Sequence, residues 1–246
     1  MQSKFILPLV IALFLLSGAA WSKPNLNPPY GDPAYREFSV FSPDAASPAD
    51  YRQDVVVVFH GFMSALPNGT YKRVRKKLLK THTTIGINYD PLDVDRTLSF
   101  LDDVINTHLK GRNVTVLGTS LGGFWARYLG VKVDAERVVL LNPVLHPAEH
   151  MMRYAGTSRE NRRRVQHHEI TAAKLSGYKK VSARKFSGPN TLLVVTEDDG
   201  RVDHKVALQL LRDEPNLTVQ AYARGGHTIN LKKHPALKRI AQFVRD

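Results

Sequence analysis

Cysteine is absent from the 246-residue chain. Its absence excludes disulfide staples, thiolate metal sites and a thiol nucleophile, and also the lipid attachment that ends some bacterial leaders. It does not weigh against export, because a chain of this length can bury an adequate core without covalent staples. Acidic residues are scarce beside basic ones. The chain has 22 Asp and Glu against 35 Lys and Arg, for a formal net charge of +13. That excess favours anionic partners such as membrane surfaces, anionic lipid, lipopolysaccharide or nucleic acid, and a solvated basic surface without a specific partner fits it equally well. Long apolar runs are lacking except at the start, where residues are apolar from Phe5 to Leu16 after Lys4 and then small through Ser17, Gly18, Ala19 and Ala20. This is the layout of a secretory leader. A membrane-spanning helix needs about 20 apolar residues, more than this run holds. Residues 1–22 are therefore expected to be a cleaved signal peptide, with the product exported to the periplasm or secreted.

About 220 residues follow such a leader, which fits one large α/β domain. Residues 23–34, rich in Pro, Asn and Gly, read as an extended lead-in, and residues 35–246 as the domain. Short apolar runs predict strands at 37–42, 54–59, 84–89, 113–117, 137–142, 191–196 and 217–223. Amphipathic spacing predicts helices at 70–81, 94–110, 121–131, 204–213 and 235–245. The alternation argues for a mostly parallel, doubly wound sheet covered on both faces. It breaks at 145–189, where Leu145 to Gly156 and Arg159 to Leu175 look helical. Such an insertion belongs near the carboxyl ends of the strands, and a small helical cap over the site is expected there. Arg159, Arg162, Arg163 and Arg164 would then lie near the pocket mouth.

Gly118-Thr119-Ser120-Leu121-Gly122 follows the strand ending at Leu117 and leads into Phe124-Trp125-Ala126-Arg127-Tyr128-Leu129. This is the nucleophile-elbow pattern in its proper setting: the Ser sits in a strained turn that exposes its hydroxyl, and the glycines let neighbouring backbone approach. The first helical turn leaves amides unpaired beside the Ser. Leu121 N–H is therefore one candidate oxyanion donor. Phe62 N–H, in His60-Gly61-Phe62-Met63 after the strand 54–59, is the other.

In this architecture the acid and then the base follow the Ser along the chain. His227 comes after Arg224-Gly225-Gly226 at the end of the last predicted strand, which makes it the candidate base. His234, near a helix start, and His167 and His168, in the insertion, read as exposed surface. The acid belongs in Glu197-Asp198-Asp199-Gly200-Arg201-Val202-Asp203-His204. Spacing favours Asp199, with Val202 packing inward and Asp203 capping the next helix, and Asp198 is the second choice. A carboxylate is needed there to hold the imidazole tautomer and stabilise the imidazolium.

On these residues the chain resembles the YqiA-like group of small bacterial α/β-hydrolase esterases. The likeness is carried by His60-Gly61-Phe62, Gly118 through Ala126, Leu141-Asn142-Pro143 with Pro147, Asp199 to His204, and Gly225-Gly226-His227. The resemblance implies an α/β-hydrolase fold, a Ser-Asp-His triad on Ser120, Asp199 and His227, no metal or other cofactor, and action on small-molecule or lipid acyl esters. A leader and a basic insertion depart from the group and weigh against an intracellular thioester or metabolite. Two other readings stay open: thioesterase, acyltransferase or peptidase chemistry on the same residues, and a non-catalytic protein that binds anionic lipid or glycan. The run Tyr71-Lys72-Arg73-Val74-Arg75-Lys76-Lys77 comes without a nucleic-acid motif and reads as the solvated face of a helix, so a nucleic-acid partner is not expected.

Overall fold

The computed structural model describes residues 38–161, 166–182 and 188–246. The leader (1–22), the lead-in (23–34) and Arg162, Arg163 and Arg164 lie outside the described residues. Among the described residues seven strands form one sheet: β1 (Ser39–Phe41), β2 (Asp54–Phe59), β3 (Thr83–Asn88), β4 (Asn113–Thr119), β5 (Arg137–Leu141), β8 (Asn190–Thr196) and β9 (Leu217–Tyr222), in the spatial order β1-β3-β2-β4-β5-β8-β9. β1 runs antiparallel to β3, and every other neighbouring pair is parallel. The alternating strands and helices of the sequence thus fold into the expected doubly wound sheet.

Parallel strands covered on both faces read as unbroken apolar runs, and the five residues Val55–Phe59 of β2 are all buried. The pleat sends alternate side chains to opposite faces. Val55, Val57 and Phe59 join one core with residues of α2 (Val94–Val104), α3 (Leu121–Lys132), α5 (Ala172–Ser182) and α6 (His204–Leu211). Val56 and Val58 join the other, with α1 (Gly69–Leu78) and α7 (Ala236–Arg245). The helix starts are fixed by side chains. The carboxamide of Asn68 accepts from Tyr71 N–H, and the carboxylates of Asp93 and Asp203 accept from Arg96 and Lys205 N–H, each within 3.1 Å.

α3 lies flush on the sheet because glycine lines the contact. A Cβ on Gly118 would fall 2.0 Å from the carbonyl oxygen of Gly122, one on Gly122 2.5 Å from that of His60, and one on Gly130 2.4 Å from Val138 Cγ2. The single helix expected at 94–110 ends as α-helix at Val104 and continues as one π-helical turn, Ile105–Leu109. That turn buries His108 beneath Tyr51, whose hydroxyl lies 3.2 Å from Nδ1.

The insertion between β5 and β8 departs from expectation. After α4 (Pro147–Met151) and a single 3-10 turn (Met152–Tyr154), the second expected helix, 159–175, is instead an antiparallel hairpin of β6 (Thr157–Asn161) and β7 (Gln166–Ile170), followed by α5. The Arg, Glu and Gln of this stretch favour helix by propensity alone. The burial pattern has a strand's period of two, with His168 inward, Glu169 outward and Ile170 inward. His168 is consequently buried, 3.9 Å from the Asp90 carboxylate, rather than exposed surface. α5 packs against α2 and α4, and the Tyr178 hydroxyl donates to the Pro91 carbonyl at 2.7 Å. Among the described residues no helix is long and apolar enough to cross a membrane.

Two consequences are measurable. Gly118→Ala forces a methyl group into backbone and should lower stability by about 1–3 kcal/mol or more, whereas Gly69→Ala, with nothing within 4 Å of its Cβ, should cost nothing; equal denaturation midpoints for the two variants would contradict the packing. Burial, and secondarily the nearby Arg112, push the His108 imidazole down from 6.5 to about 4. The unfolded chain therefore takes up this proton first on acidification. The stability His108 contributes is full above pH 6.5 and is lost as pH falls towards 4, on the order of 3 kcal/mol in total. Thermal unfolding across that range should show a shallower pH slope for His108→Phe than for the unaltered protein. Identical slopes would refute the assignment.

Candidate active site

The turn from β4 into α3 places Ser120 at φ 56° and ψ −124°, a conformation that L-residues rarely adopt. Three backbone hydrogen bonds hold it. Ser120 N–H donates to the Leu141 carbonyl at 2.9 Å, and the Ser120 carbonyl accepts from Gly123 N–H at 2.8 Å and from Val144 N–H at 2.9 Å. The side chain thereby projects from the carboxyl end of the central strands. Its Oγ lies 3.0 Å from His227 Nε2, and His227 Nδ1 lies 2.8 Å from Asp199 Oδ2. The Asp199 side chain is 1% exposed and that of His227 is 14% exposed. The other Asp199 oxygen accepts from Arg201 N–H at 2.8 Å and from Val202 N–H at 3.1 Å. With both carboxylate oxygens engaged, the ring turns Nδ1–H towards Asp199 and leaves the Nε2 lone pair for the hydroxyl.

Val202 is buried and Asp203 caps α6, as the spacing of the acid loop predicts. The second-choice carboxylate has a different task. Asp198 accepts from Gly226 N–H at 2.8 Å and from Gly225 N–H at 3.2 Å, which pins the turn that carries His227. Those two bonds, Gly226 first, hold its pKa below the usual carboxylate range. A residue not assigned a role from sequence completes the frame. Asn142, at φ 40°, donates through Nδ2 to Thr196 Oγ1, the Gly226 carbonyl and the His227 carbonyl within 3.2 Å, and its Oδ1 accepts from Thr196 N–H at 2.9 Å. An Asn directly after a strand and before a Pro was the available signal, too common a pair to identify a hub by itself. His234 is half-buried just before α7, and its Nε2–H donates to the Arg224 carbonyl at 2.9 Å.

The loop after β2 stands beside the hydroxyl. His60 is buried, stacks on Tyr89 at 4.5 Å between ring centres, and donates from Nδ1 to the Gly61 carbonyl at 2.8 Å. A Cβ on Gly61 would sit 3.2 Å from Ser120 Cβ, so the backbone leading to Phe62 passes close to the nucleophile candidate. Leu121 is the first residue of α3, where helical amides have no intrahelical partner. The Phe62 ring stacks on Tyr154 of the insertion at 6.4 Å. From the same insertion, His150 accepts at Nε2 from Arg153, 2.6 Å away, and is pushed down to about 4 by burial, then by Arg153 and His227.

A cavity of about 390 Å³ opens over Ser120 and His227, walled by the loop 61–64, the start of α1 and residues 228–231. A second, of about 360 Å³, lies between residues 143–153 and the start of α6, and shares Arg201 with the first. No cluster of His, Asp and Glu able to hold a metal ion occurs among the described residues.

Comparison with known proteins sets this geometry in a family. A UPF0227 protein of Pectobacterium carotovorum is 31% identical over 101 residues, covering 39% of this chain and 54% of that protein. One from Shewanella loihica is 26% identical, covering 40% and 55%, so the chain spans about half the length of the curated relatives it matches. Among solved structures, an acetyl ester-xyloside bifunctional hydrolase from Caldicellulosiruptor lactoaceticus aligns with a TM-score of 0.63 at 17% identity, covering 92% of this chain and 93% of that one. At that identity the likeness is one of fold, the α/β-hydrolase fold. Residues 55–244, from β2 to the last turn of α7, match the family described as Uncharacterised protein family (UPF0227), and the chain belongs to it.

Proposed function

We propose that this protein is a serine hydrolase that cleaves acyl esters through an acyl-enzyme on Ser120. The observation that carries the reading is the unbroken hydrogen-bonded chain from Ser120 Oγ through His227 to the buried Asp199 carboxylate, at 3.0 and 2.8 Å. It lies at the carboxyl ends of parallel strands, where open α/β sheets bind ligands. Support comes also from the fold shared with a protein described as an acetyl ester-xyloside hydrolase.

In this reading Ser120 Oγ attacks the ester carbonyl carbon as its proton passes to His227 Nε2. Negative charge gathers on the carbonyl oxygen, where the N–H groups of Phe62 and Leu121 receive it. Asp199 stabilises the imidazolium. Collapse breaks the bond to the alcohol, whose oxygen takes the proton back from His227. Water, deprotonated by the same nitrogen, then attacks the acyl carbon; the bond from that carbon to Ser120 Oγ breaks, Oγ takes the proton back from His227, and the acid is released. The proposal places the reaction outside the cytoplasm, on the leader-like layout of residues 1–22.

Ser120→Ala should lose on the order of 10⁴- to 10⁶-fold in turnover of a nitrophenyl ester at unchanged circular dichroism; undiminished turnover would reject the reading. Asp199→Asn should lose on the order of 10⁴-fold through the wrong imidazole tautomer. Asp198→Asn, which keeps one acceptor for the glycine amides, should lose only about tenfold. If Asp198→Asn is the weaker enzyme of the two, the acid has been assigned one residue too late.

A further inference from the structure

The cavity over Ser120 carries a charge pattern that ester hydrolysis alone does not require. Arg73 and Arg201 line it together with Asn68, Thr70 and Asn230, and no Asp or Glu does. Neither arginine makes an ion pair with a carboxylate among the described residues, although Arg75, two positions along the same helix, is paired with Asp44. Arg73 is half-buried on the α1 face that also holds Thr70, one turn earlier, and so differs from the exposed Lys72 and Lys76 beside it. Arg201 is placed by the acid loop itself, since its N–H binds Asp199 and its carbonyl accepts from Arg153 at 2.8 Å. The two arginines thus line one cleft from different elements, Arg73 half-buried near the start of α1 and Arg201 exposed in the loop after β8. The neighbouring cavity differs in character. It is lined by Pro143, Val144, Leu145, Val202, Val206 and Ala207 beside its polar groups.

From this we propose that the Ser120 cavity is built for an acyl ester bearing an anionic group, a carboxylate or a phosphate, which Arg73 and Arg201 clamp while the ester carbonyl lies on Ser120. The proposal rests on the serine-hydrolase reading and adds the substrate class. Guanidinium groups suit planar oxyanions because their fork matches two acceptor oxygens. An unpaired arginine in a partly enclosed cleft leaves that capacity unused until such a ligand arrives. The residues differ from the insertion arginines that the sequence places near the pocket mouth. Arg159, the one of these that is described, packs over the Tyr154 ring at 5.4 Å and does not line the cavity.

The test compares kcat/KM for nitrophenyl hemisuccinate with that for its neutral methyl ester, and for an acetyl ester of glycerol 3-phosphate with that for acetylglycerol. The expected result is an anionic-over-neutral ratio that falls about tenfold or more in Arg73→Gln and in Arg201→Gln. Arg73→Lys should retain part of it. Lys76→Gln removes the same charge outside the cavity and should leave the ratio within about twofold, since exposed charge is screened beyond roughly 8–10 Å. The arm with the larger ratio identifies carboxylate or phosphate as the group recognised. An unaltered protein with no anionic preference, or equal losses in Arg73→Gln and Lys76→Gln, would overturn the proposal and leave the hydrolase reading standing. If no ester is turned over, calorimetric binding of the same pairs decides. Preferential anionic binding that Arg73→Gln abolishes would keep the subsite and reject hydrolysis, and equal binding would reject the subsite.

Discussion

The backbone of Ser120 is held where an L-residue rarely rests, at φ 56° and ψ −124°. Such a conformation costs on the order of 1–3 kcal/mol and persists only when its surroundings fix it. Here they are the end of β5 and the first turn of α3, which supply three backbone hydrogen bonds to one residue. The close approach of α3 to the sheet requires glycine at 118 and 122, where any side chain would enter backbone. The arrangement of β4, α3 and β5 can therefore be understood from the need to present one hydroxyl at the carboxyl end of the central strands.

The end of β5 also sets the position of His227. Leu141 and Val144 bind the Ser120 backbone, while Asn142, between them, binds the carbonyls of Gly226 and His227. A displacement of this short segment would move Ser120 and His227 together and preserve the 3.0 Å contact between them. On the far side the consecutive carboxylates divide the work. Asp199 faces inward to the imidazole ring, and Asp198 faces outward to the amides of the turn that carries it. The site is thus referred to one rigid point in the sheet, as preorganised donors and acceptors require.

Much of this was legible in the sequence where a local pattern has a local cause. The Val runs, the Gly-x-Ser-x-Gly turn, the Asp199-Val202-Asp203 spacing and the late Gly-Gly-His each specify backbone without knowledge of distant contacts, and β2 and the placing of Ser120, Asp199 and His227 follow from them. The hairpin β6–β7 was not legible, because its Arg, Glu and Gln suit a helix and only packing of His168 and Ile170 against the body of the domain selects strand. Asn142 escaped for a related reason: its partners lie 54 to 85 residues away. Arg73 read as one charge in a solvated run, since sequence spacing shows which face of α1 is polar but not that a cavity opens against part of it.

The central claim is that the Ser120 hydroxyl, polarised by His227, is the nucleophile. It is tested most directly by treating the folded protein with a fluorophosphonate and locating the adduct by peptide mass mapping. The account predicts one phosphonyl group per chain, on the peptide containing Ser120. A folded protein that takes up no label, or that carries it on another residue, would contradict the account.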